Sequence, residues 1–149
     1  MTSSPVTAVR LVAAGLLCGY VLLISAVLLS ADQSLPTDVI ARTEQALRER
    51  GAPDWMTWGD RVQMMLNAFM FAPITALASL AFPRQAWGNW VAYAFLASGA
   101  VEVVQAFALE PRSAEYVDVV ANTLGGLMGA VVVLPVTAWM RAVNDRRSP

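Results

Sequence analysis

An all-α, four-helix transmembrane bundle is the fold class this sequence predicts, on three observations. The chain is 57% hydrophobic and 14% charged, and its mean hydropathy of +0.54 lies outside the range of ordinary soluble domains. Four apolar runs, about 10–31, 62–82, 89–109 and 117–140, each reach the length of a bilayer crossing, roughly 20 residues. Neither Leu11–Ala31 nor Ala121–Met140 carries a charge, whereas a soluble bundle would repeat charged positions at helical spacing. A single integral membrane domain, 1–149, is therefore expected.

Composition closes several kinds of chemistry. The chain has no histidine and one cysteine, Cys18, so a His/Cys zinc site, a histidine-assisted nucleophile and an intrachain disulfide are excluded. All ten basic residues are arginine and the net charge is −1, with no basic tract to bind nucleic acid. No spacing demands a metal, and no cofactor is expected.

The first run follows Arg10. It exceeds the apolar core of a signal peptide, and Leu29 spoils a small-x-small cleavage site ending at Ala31, so an uncleaved anchor is expected. Cys18 reads as apolar filling. Between Asp32 and Asp60 lies the long polar segment. Pro36 and Thr37 can start a helix there, Asp38 suits its first turn, Arg48 and Arg50 its last, and Gly51 with Pro53 stops it. Val39, Ile40, Ala46 and Leu47 form a modest apolar stripe, so a short amphipathic extracytoplasmic helix between spans one and two is expected, as a lid over a polar site or as a surface connection. Trp55 and Trp58 suit the headgroup level that follows.

The second run contains Gln63, Asn67 and Pro73, the last expected to kink it. Arg84 and Trp87 anchor the turn before the third run, and the fourth ends at the tail that follows Met140. Arginine counting across the loops is a tie. Arg10 close before the first span, and Arg141, Arg146 and Arg147 behind the last, place both termini in the cytoplasm.

Depth follows from a rise of about 1.5 Å per residue. Asn67, Glu102, Gln105 and Asn122 fall at roughly 6 to 11 Å below the same face by that rise, with Asp118 and Arg112 above them. Glu102 and Gln105 are i,i+3, and Asp118 and Asn122 are i,i+4, so each pair shares a helix face. Ala121, Gly125 and Gly129 offer small surfaces for close helix packing. Amides at this level can simply bond helices together. A carboxylate at such depth needs a proton or a partner, which makes Glu102, with Arg112 and Asp118, the functional candidate.

These residues resemble the VanZ-like membrane proteins. An E-x-x-Q helix, a loop arginine, an aspartate and N-T-x-G with further glycines correspond to Glu102, Gln105, Arg112, Asp118, Asn122, Thr123, Gly125 and Gly129. Upstream, an aspartate before an N-x-x-x-F-x-P helix looks like Asp60, Asn67, Phe71 and Pro73, so the resemblance covers about 60–130. The glycine that usually follows the proline is replaced here, around Thr75. The resemblance implies a bacterial plasma-membrane protein, similar to one linked with low-level resistance to the glycopeptide teicoplanin.

Three functions are then in competition. The first is an outward polar pocket for a lipid-linked envelope precursor or lipoglycopeptide, with Asn67, Glu102, Gln105, Arg112, Asp118 and Asn122 as ligand-binding residues. The second is a membrane enzyme with Glu102, or Asp118, as general acid or base, disfavoured by the lack of an evident nucleophile. The third is a small proton-coupled carrier, which four spans without an inverted repeat would more readily form as a homo-oligomer. Membrane lipids are the expected partners in all three.

Overall fold

The computed structural model describes residues 5–28, 30, 34–57, 60–108 and 116–146. These form seven helices: α1 (Pro5–Leu28), α2 (Ser34–Glu49), α3 (Asp54–Thr57), α4 (Arg61–Ala81), α5 (Trp87–Ala108), α6 (Tyr116–Val132) and α7 (Leu134–Asp145). No strand occurs among the described residues. Helices α1, α4 and α5 are long and apolar enough to cross a membrane, and α6 with α7 passes as a fourth span if the bent pair is one crossing.

Helix α1 opens on Pro5, whose missing N–H costs nothing in a first turn. Helix α2 ends as the sequence predicts. Gly51 takes φ 75°, its N–H donates to the Arg48 carbonyl at 3.0 Å, and Ala52 N–H donates to the Leu47 carbonyl at 3.0 Å. Those two bonds form a Schellman closure, which glycine makes without strain. Trp55 is exposed, while Trp58 lies outside the described residues.

The fourth apolar run differs from a single straight crossing. It breaks at Val133 into α6 and α7, which meet at 49°. Pro135 lies at the start of α7 and has no N–H to give the preceding turn, and its ring clashes with the carbonyl four residues back. The run is long enough to span, but proline divides it.

Helix α4 continues through Pro73 as one segment. The proline removes the helical donor to the Phe69 carbonyl. At the next residue the Tyr20 hydroxyl of α1 donates to the Met70 carbonyl at 3.0 Å. The most extensive packing joins α4 to α6, then α5 to α6 and α1 to α4. Buried apolar positions are mostly alanine, so backbones approach closely and van der Waals contact dominates. The large apolar side chains point outward. Leu11, Leu16, Leu22 and Leu23 of α1, Leu96 and Phe107 of α5, and Leu124 and Val132 of α6 are all exposed, as a surface solvated by acyl chains requires.

At the end of the bundle holding the termini, two arginines tie the helices together. Arg10 Nε donates to the Ala81 carbonyl at 3.2 Å, satisfying the last turn of α4. Arg141 donates to the carbonyls of Pro83 and of Gln85, the latter at 2.8 Å.

Candidate functional site

The site rests on the α4–α6 seam. A Cβ added to Gly125 would stand 2.0 Å from the Ala68 carbonyl oxygen, and one added to Gly129 would overlap the Ala72 carbonyl oxygen more closely still. Gly125-x-x-x-Gly129 therefore lies directly on Ala68-x-x-x-Ala72, small face on small face. The order of the pairs makes α4 and α6 parallel. Gly126 faces α5, where an added Cβ would meet the Ala94 Cβ at 2.6 Å. Thr75, which replaces the glycine expected after Pro73, is buried and donates from Oγ1 to the Gly126 carbonyl at 2.8 Å. Its hydroxyl bonds the seam that a glycine would only narrow.

Toward the α2 end this seam opens into a cavity of about 450 Å3. Its polar wall consists of Gln63 and Asn67 from α4, Glu102 and Gln105 from α5, and Asp118 and Asn122 from α6. The five sequence-derived polar residues in the described chain thus share one cavity. Glu102, Gln105, Asp118 and Asn122 are all buried. The sixth, Arg112, lies outside the described residues. The opposite wall is apolar, with Val27 of α1, Leu66 and Met70 of α4, Val101 of α5, and Leu35, Pro36, Val39 and Ile40 of α2. The first half of α2 therefore covers the polar site, with Thr37 and with Val39 and Ile40 of its apolar stripe but not Ala46 or Leu47, and the helix has no buried residue of its own.

Hydrogen bonds set the register. Asn122 Nδ2 donates to Ser98 Oγ at 2.8 Å, one turn from the Gly126–Ala94 contact, so α5 and α6 run antiparallel. That register carries Glu102 to the level of Asp118, whereas depth counted from the apolar limits puts Asp118 above it. The count assumes that every run ends in one plane, and α5 is offset along α6 by more than a turn. Gln63 Nε2 reaches Asp118 Oδ2 at 3.4 Å.

Sequence reasoning left Ser98 and Gln63 out of the site. The signal was present: Ser98, Glu102 and Gln105 recur at i, i+4 and i+7, and Gln63 and Asn67 at i, i+4. Asn122 Oδ1 is buried and has no hydrogen-bond partner among the described residues. Exchanging the two amide ends would move the deficit to the nitrogen and leave it in place. Such a group normally finds a partner, because leaving one unmade costs about 1–3 kcal/mol.

The site combines buried carboxylates, amides and hydroxyls with an apolar cover, a composition suited to a ligand with a polar head and an apolar body. No cluster of three or more metal-ligating side chains occurs among the described residues. Neither the curated proteins nor the solved structures hold a match to this chain. The family model described as VanZ/LLP1 matches residues 12–139, from the first span through the bent fourth run, and the chain belongs to the VanZ/LLP1 family of membrane proteins.

Proposed function

We propose that this VanZ-like membrane protein uses the cavity to bind the headgroup of a lipid-linked cell-envelope molecule or of a lipoglycopeptide, on the outer side of the plasma membrane with both termini in the cytoplasm. The supporting observation is the meeting of Asn67, Glu102, Gln105, Asp118 and Asn122 in one cavity beneath the apolar face of α2. Arg112 holds the anionic group of the ligand as a charge-assisted donor. Glu102 and Asp118 orient the headgroup or bind hydroxyls, and Asn67, Gln105 and Asn122 form the hydrogen-bonding floor. A contribution to teicoplanin resistance follows if the bound species is an envelope precursor or the antibiotic itself.

The test is an untargeted lipid analysis of protein extracted with its native lipid, comparing wild type with Arg112→Ala. A species retained by wild type and lost from the variant supports the reading. Equal lipid profiles, with both proteins folded and equally abundant, refute it.

A further inference from the structure

The cavity has a side as well as a roof. Val27 of α1 and Val101 of α5 line it from different helices, with Leu66 and Met70 of α4 between them. Both α1 and α5 pack on the α4–α6 core, yet among the described residues α1 and α5 do not pack extensively on each other. A cavity flanked at bilayer depth by apolar residues from two helices that pack little on each other suits acyl chains better than water. The cover agrees with this: Leu35 and Val39 line the cavity and remain 67% and 51% exposed. They present apolar area that a chain running through the opening would cover. At the inner end stands Asn122, 5% exposed, with its Oδ1 unpartnered.

We propose that the ligand reaches the cavity laterally, as a chain-bearing lipid of the leaflet on the α2 side, its chains lying between α1 and α5 and a headgroup hydroxyl donating to Asn122 Oδ1. This rests on the reading that the cavity holds a ligand, and it selects among the ligands: a lipid whose headgroup carries a free hydroxyl fits, and a water-borne headgroup does not. The apolar flanks hold the chain, and the neutral acceptor selects a donor.

The probes are two chain-matched lipids in phosphatidylcholine nanodiscs and one chainless competitor, with retention by the whole protein read by native mass spectrometry. Phosphatidylglycerol carries the anionic diester and free hydroxyls, phosphatidylmethanol the same charge with no donor, and free glycerol 3-phosphate serves as the chainless competitor. Wild type should retain phosphatidylglycerol about tenfold over phosphatidylmethanol, the order expected for one hydrogen bond to a buried acceptor. Glycerol 3-phosphate should not displace it. Asn122→Leu should erase the preference, and Val101→Trp, which adds bulk on the apolar α5 flank, should abolish retention of both lipids.

Equal retention of the two lipids by wild type, displacement by glycerol 3-phosphate, or unchanged retention in Val101→Trp would each overturn the proposal. Should Asn122→Leu fail to fold, the wild-type preference and Val27→Trp, from the opposite flank, carry the same decision. If native extraction yields a water-soluble lipoglycopeptide that Val101→Trp binds normally, lateral access fails while headgroup binding stands. If extraction yields no differential species, the binding reading itself fails.

Discussion

Replacing Gly129 by alanine should separate α4 from α6. The added Cβ would overlap the Ala72 carbonyl oxygen and come 2.4 Å from Thr75 Oγ1, where ordinary contact begins at 3.4 Å. Backbone has no rotamer with which to yield, so the helices must part by more than an ångström at that turn. Thr75 Oγ1 donates to the Gly126 carbonyl at 2.8 Å, and the same displacement would stretch that bond. Overpacking of this kind costs ~1–3 kcal/mol, and a value of about 2 kcal/mol shifts the unfolding equilibrium about 30-fold. The assay is reversible unfolding in mixed micelles with rising dodecyl sulfate, followed by far-ultraviolet circular dichroism. Gly99→Ala is the control, because a Cβ there meets nothing within 4 Å. Alanine favours an exposed helix interior over glycine by up to ~1 kcal/mol, so this variant should be neutral or more stable. If Gly129→Ala matched Gly99→Ala, the seam could not be the close contact described, and the cavity would lose its foundation.

Thr75→Val keeps shape and removes the hydroxyl, and should cost ~0.5–1.5 kcal/mol in the same unfolding assay. Pro135→Ala restores an N–H at the break between α6 and α7, and should reduce the 49° bend, read as a longer distance between spin labels placed at Leu124 and Ala142. Arg112→Ala should abolish any teicoplanin resistance conferred by the wild type at equal membrane abundance, measured as the minimum inhibitory concentration in an expressing host.

The apolar runs were legible because hydrocarbon imposes one requirement on every residue of a spanning segment, so length and charge suffice to find them. The grouping of Asn67, Glu102, Gln105, Asp118 and Asn122 was legible for a related reason: few polar residues are tolerated there, and depth orders those that remain. Relative height was harder to read. The offset that levels Glu102 with Asp118 depends on how Gly126 seats on Ala94 and Asn122 on Ser98, which are pairings between distant segments. The break at Val133 was signalled by Pro135, but hydropathy continues unbroken across it. Ser98 is one small hydroxyl in an apolar run, and only its pairing with the distant Asn122 marks it out.

The hydroxyl that Tyr20 lends to Met70 makes the first and second crossings interdependent one turn before Pro73. A shortened chain starting after residue 28 would uncover that carbonyl to hydrocarbon and strip one flank from the chamber. Reporter fusions intended to leave behaviour intact should therefore avoid trimming the amino-terminal helix and use the bend at Gly51, where an added Cβ would meet no neighbour but positive φ demands that the glycine itself be kept.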